Sequence, residues 1–146
     1  MEWIDALGGS VVGLDTAPLI YYIEKHPVFI ARIKPFFEAA ERNEFSLVTS
    51  FVTLIEVLIQ PIREGKPELA QEYRDILLHS PALSAIPLDN GIAEEAAALR
   101  ARHHIRTPDA IQLATAIRAN ASWFLTNDAE LAKVPEISVL ALSRLP

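Results

Sequence analysis

"FSLVTSFVTLIEVLIQPIREG", residues 45–65, changes period part-way along, and that change decides the fold. Its first six residues read as a short buried strand. From Phe51 onward, apolar side chains recur at helical spacing through Leu54, Ile55, Leu58 and Ile62, until Gly65 offers a stop. A strand that runs straight into a helix is half of a β-α-β unit, and such units build parallel sheets covered by helices. The helix carries one oddity. Glu56 interrupts the run "FVTLIEVLIQ", on a polar stripe with Thr53, Gln60 and Arg63, opposite the apolar stripe expected to be buried.

The same alternation extends in both directions. "SVVGLD" (10–15) reads as a strand and "PLIYYIEKH" (18–26) as the helix after it. "VFIARIKPFFEAAERN" (28–43) is a second helix, with Pro35 placed to kink it. Downstream, "PELAQEYRDILLHS" (67–80) is helical and "LSAIPLD" (83–89) is a third strand. Helices follow at 90–105 and 107–120, then strands "SWFLTND" (122–128) and "EISVLAL" (136–142). The expectation is one α/β domain over 1–146, a five-stranded parallel sheet with helices on both faces. Periodicity does not set the strand order. Residues 1–9, "MEWIDALGG", precede the first strand as an N-terminal extension, either free or packed through Trp3 and Ile4.

Hydrophobic residues make up 51% and charged residues 22% of 146, which excludes disorder and allows a sizeable core. No apolar run approaches the roughly 18 residues of a membrane span. With no cysteine, thiolate metal sites, thiol nucleophiles and disulfides are excluded. The simplest expectation is a soluble cytoplasmic protein. A net charge of −6 argues against a nucleic-acid coat, unless the acids gather around a divalent ion that reverses the local sign.

Four acids stand where such a gathering is feasible: Asp15 closing the first strand, Glu56, Asp109 in "TPDAIQLATA", and Asp128 in "FLTND". In open parallel sheets ligands bind at the carboxyl ends of the strands, and all four acids can come from that one rim. Each has a plainer role. Asp128 suits a helix cap; Asp109 follows Thr107 as cap and Pro108 as first helical residue; Glu56 suits a wet helix face. As a set they repel one another, and one or two hard divalent ions, Mg²⁺ or Mn²⁺, would compensate them. The chemistry implied is metal-assisted phosphodiester hydrolysis.

The series "LDT" (14–16), "TLIEVL" (53–58), "TPDAIQLATA" (107–116) and "FLTND" (124–128) resembles the PIN-domain ribonucleases, especially the VapC-type toxins of toxin–antitoxin modules. The resemblance covers nearly the whole chain. It implies a sheet ordered 3-2-1-4-5, with Asp15 and Asp128 at the switch point. It also implies that Asp15, Glu56 and Asp109, with the more variable Asp128, hold Mg²⁺ or Mn²⁺ and activate a water that cuts RNA. Thr126 and Asn127 fall where small polar side chains help orient the site, and Thr16, after the first acid, is placed either to offer the site a hydroxyl or to cap the next helix.

The resemblance further implies a small antitoxin partner and a homodimer. "PLIYYI", with Tyr21 and Tyr22, is a candidate antitoxin surface beside its ordinary core role. Arg100, Arg102 and Arg106 in "LRARHHIR" (99–106) are candidate contacts to RNA phosphates, against the plainer reading of a basic helix end. His103 and His104 are adjacent and diverge on a helix, a poor metal pair. A phosphatase of the haloacid dehalogenase type would need an acid where Ala17 stands. The alternative from another class is a PIN-like module without catalysis that binds RNA or a protein.

Overall fold

The computed structural model describes residues 1–146. Five strands, β1 (Val11–Leu14), β2 (Ser46–Ser50), β3 (Leu83–Ile86), β4 (Trp123–Thr126) and β5 (Ser138–Ala141), form one sheet ordered β3-β2-β1-β4-β5. Every neighbouring pair is parallel. The α/β class and the strand order implied by the resemblance are therefore the ones found. The chain builds outward from β1 to one side through β2 and β3, then returns to add β4 and β5 on the other. The switch point lies between β1 and β4.

Seven helices surround the sheet: α1 (Glu2–Asp5), α2 (Thr16–Ile23), α3 (Ile30–Glu41), α4 (Phe51–Arg63), α5 (Pro67–His79), α6 (Asn90–Arg102) and α7 (Thr107–Arg118). Two 3-10 turns, Ala129–Lys133 and Leu142–Arg144, flank β5. The pleat of β1 divides the interior into two cores. Val12 and Leu14 join one with Leu19, Phe36 and Tyr73 from α2, α3 and α5. The other gathers Leu99, Leu113 and Phe124 from α6, α7 and β4. Between Val12 and Leu14, Gly13 turns to α7, where a Cβ would lie 2.5 Å from that of Ala116. No helix is long and apolar enough to cross a membrane.

Residues 1–9 belong to the first core. A four-residue helix has too few turns to show a period, yet Trp3 stacks on Phe36 at 5.7 Å and Ile4 and Leu7 are buried. The stripe assigned to α4 needs correcting. Thr53, Val57 and Pro61 face inward, Leu54 and Leu58 flank them, and Ile55 and Ile62 are each 63% exposed. The cause is local. Thr53 is fully buried because its hydroxyl bonds Thr49 at 2.7 Å and accepts from the Gln112 amide at 2.7 Å, so a polar residue occupies the dry face.

Candidate active site

The rim at the strand ends is made of caps. Asp15 sits between β1 and α2, and its Oδ1 accepts from the Thr16 amide at 2.8 Å. Ser50 ends β2 and caps α4, accepting from Val52 N at 3.1 Å. Asp128 follows β4 and accepts from Glu130 N at 3.0 Å. Each side chain satisfies an otherwise orphaned helix amide, so strand and helix join with almost no loop. At α7 the expected cap is corrected. Thr107 is already the first helical residue, Arg106 precedes it without a side-chain cap, and the Thr107 hydroxyl accepts from Arg100 Nη1 at 2.9 Å.

Buried hydroxyls hold the acids. The Thr126 hydroxyl donates to Asp15 Oδ2 at 2.6 Å across the switch point, while its oxygen accepts from Asp128 N at 3.0 Å. The Thr16 hydroxyl donates to Glu56 Oε1 at 2.6 Å, tying down one oxygen of an exposed carboxylate. Asn127 donates to the Tyr21 hydroxyl at 2.9 Å, and its Oδ1 is buried without a partner on the same rim. Tyr21 in turn stacks on Phe29, and Tyr22 on Phe37, so both tyrosines of "PLIYYI" have partners inside the fold.

The acids feel one another. Burial pushes the Asp15 carboxyl above its ordinary range; the Thr126 and Thr16 bonds pull it back, and the charges of Asp109 and Glu56 push it further up. Burial likewise raises Asp109, against the pull of Arg106, with Asp128 and Glu56 adding to the rise. Asp15, Glu56 and Asp109 thus form one electrostatic group, and Asp128 joins it through Asp109. Three helix N-termini, of α2, α4 and α7, adjoin the group and favour negative charge.

A raised folded-state pKa in an acid costs stability at pH above that value. The cost disappears as pH falls below the unfolded value. Asp109→Asn is therefore expected to raise the Tm of metal-free protein at neutral pH, by about 2–4 °C for each kcal/mol relieved. The gain should close towards about pH 4, near the unfolded carboxyl pKa. An unchanged or lower Tm at pH 7 would contradict this account of the site.

The three arginines of "LRARHHIR" separate. Arg100 donates to the Ile105 carbonyl at 2.9 Å as well as to Thr107, stapling the α6–α7 connection. Arg102 pairs with Glu136 at 3.3 Å, beside the His103–Glu136 contact at 2.9 Å. Arg106 has a side chain 82% exposed and lies 3.6 Å from Asp109. Reading the sequence missed Gln112 and Ser50 as parts of the site, and placed Thr53 on the wet stripe of α4 rather than in the interior. Gln112 carried one usable signal: it stands three residues after Asp109, on the same face of α7.

The model of the PIN domain matches residues 12–137. No curated protein matches the chain. Among solved structures, the VapBC2 complex of Rickettsia felis bound to a promoter DNA fragment is similar at 22% identity and a TM-score of 0.70, over 89% of this chain and 97% of that one. A toxin–antitoxin complex from Klebsiella pneumoniae is similar at 26% identity and a TM-score of 0.67, over 91% and 98%. VapC20 of Mycobacterium tuberculosis, a toxin that cleaves the sarcin-ricin loop, is similar at 16% and 0.67, over 88% and 99%. With its domain match spanning the sheet from β1 to the threshold of β5, the chain belongs to the PIN-domain family.

Proposed function

We propose that this protein is a metal-dependent endoribonuclease of the cytoplasm and the toxin half of a toxin–antitoxin pair. One observation carries the reading. Asp15, Glu56 and Asp109 share a rim, and the oxygens of the first two are steered by buried hydroxyls of Thr126 and Thr16. Asp15 caps α2, but capping alone does not call for acids that raise one another's pKa in the folded state. The donors are all hard oxygens, as Mg²⁺ or Mn²⁺ requires, and the unpartnered Asn127 Oδ1 adds another. The acids do not gather into a chelate in this structure, so the fit rests on the chemistry of the donors. The residues fit such an ion.

Asp15, Glu56 and Asp109 would hold the ion, with Asp128 at the margin. A bound divalent ion supplies a water activated for attack and charge stabilisation at the phosphodiester. The chain's own side chains set orientation. Thr126 fixes Asp15, Thr16 fixes Glu56, and Arg106, paired with Asp109 at 3.6 Å but with a side chain 82% exposed, would reach a backbone phosphate beside it.

The antitoxin proposal draws on the neighbours that are toxin–antitoxin complexes. Ile55, Ile59 and Ile62 stand exposed on α4 beside Glu56 and give a protein partner, antitoxin or second copy, apolar surface to cover. The homodimer is part of this proposal.

The test is cleavage of single-stranded and hairpin RNA by purified, antitoxin-free protein in Mn²⁺ or Mg²⁺, with EDTA in parallel and Mn²⁺ titration calorimetry alongside. Cleavage that EDTA abolishes is expected. A folded protein that neither cuts RNA nor binds Mn²⁺ would replace the nuclease with a binding module. On the uncleaving Glu56→Gln protein, Arg106→Ala is expected to weaken RNA binding and to reduce the slope of log affinity against log salt by about 0.7. Arg102→Ala, already spent on Glu136, should change the slope less. An unchanged slope on losing Arg106 would remove that residue from the interface.

A further inference from the structure

Gln112 is 3% exposed and lies beneath the acids, on the face of α7 that also carries Asp109. Its Oε1 accepts from the Ser50 hydroxyl at 2.8 Å and from the Ser50 amide at 3.3 Å. Its Nε2 donates to Thr53 at 2.7 Å and to Thr16 at 3.2 Å. One amide therefore joins the end of β2, the first turn of α4 and the start of α2 to α7.

Counting protons fixes the direction of every bond. The Thr49 hydroxyl donates to the Leu14 carbonyl at 2.7 Å, so its only proton is used. At the 2.7 Å contact between Thr49 and Thr53, the donor must then be Thr53. Thr16 has spent its proton on Glu56. Thr16 and Thr53 lie 3.3 Å apart with no proton left between them. Two hydroxyl oxygens would face each other unsatisfied, and each would gain by reclaiming its proton. The two amide protons of Gln112 resolve this, one for each oxygen.

We propose that Gln112 is a positioning residue for Glu56: by donating to Thr16 and Thr53 at once, it commits the Thr16 hydroxyl to the Glu56 carboxylate. The inference rests on the nuclease reading for its catalytic consequence. Its structural consequence stands independently. Without the amide, Thr16 is free to turn its proton to Thr53, and the exposed Glu56 loses the one bond that fixes its rotamer. A small misplacement of a catalytic group lowers rate while leaving substrate affinity almost intact.

The test pairs Gln112→Met, which keeps the length and loses all polarity, with Gln112→Glu, which keeps an acceptor for Ser50 and brings at most one proton. In crystal structures of both variants the Thr16 Oγ1–Glu56 Oε1 bond is expected to be lost and Glu56 to adopt other rotamers. RNA cleavage should fall about 10- to 100-fold in kcat, with KM within about two-fold. Thr16→Val should lose a similar amount, and its combination with Gln112→Glu should lose little more, because both act through one hydroxyl. Should Gln112→Met fail to fold, Gln112→Glu supplies the same readouts.

Glu56 remaining on Thr16 in a folded variant overturns the proposal. So does a double variant whose losses multiply. If the wild-type protein cuts no RNA, the nuclease reading fails, and the bond seen in the variant crystals still decides the role of Gln112.

Discussion

Asp15→Asn is expected to fold and to lose RNA cleavage in Mn²⁺ by about 10³-fold or more, corresponding to about 4 kcal/mol of transition-state stabilisation. The fold should survive because the substitution is nearly isosteric. The amide oxygen can still accept from the Thr16 N–H and cap α2, and the amide nitrogen can face the Thr126 oxygen. Chemistry should not survive, because Asp15 is one of the acids that would hold the ion. It sits between β1 and α2 at the switch point, and the charges of Asp109 and Glu56 both bear on it. Circular dichroism and Tm establish folding; Mn²⁺ calorimetry and cleavage establish the rest. Glu56→Gln should give a comparable loss. A folded Asp15→Asn protein keeping a tenth of the activity would mean that hydrolysis happens elsewhere.

Much of this site was legible because strand ends and caps are local. "SVVGLD" and "FLTND" announce where strands stop, and Asp15 and Asp128 at those joints needed only the pairing of β1 with β4 to meet on Thr126. Gln112 was not legible as a hub. Its partners, Ser50, Thr53 and Thr16, lie 62, 59 and 96 residues away in the chain, and nothing in "TPDAIQLATA" names them.

The face of α4 was misread for the same reason. Apolar periodicity assumes that the dry side of a helix is apolar, whereas Thr53 is dry because distant side chains satisfy its hydroxyl. The exposed Ile55 and Ile62 are the other half of that error. α1 escaped because four residues make little more than one turn.

Gly13→Ala is expected to destabilise the protein by about 2–3 kcal/mol, the scale of an overpacked core. That corresponds to a fall in Tm of roughly 5–10 °C. Backbone conformation is not the reason, since Gly13 lies in regular strand and its φ is not positive. Space is. The added Cβ would sit 2.5 Å from Ala116 Cβ on α7 and 2.9 Å from Phe124 Cδ1 on β4. Neither neighbour yields readily: the first is rooted on a helix backbone and the second is a fully buried ring.

Removing the opposing methyl group should help. Ala116→Gly alone costs about 1 kcal/mol as a glycine inside a helix. Combined with Gly13→Ala, it should give a protein more stable than Gly13→Ala by itself, a coupling that only a direct clash produces. Activity should follow the same order, because α7 carries both Asp109 and Gln112, and a helix pushed off β1 takes them away from Asp15 and Thr16. Urea denaturation of the four proteins, wild type, both singles and the double, measures the coupling. A Gly13→Ala protein as stable as wild type, or a double variant with purely additive losses, would show that the approach of α7 to β1 is not set by this glycine.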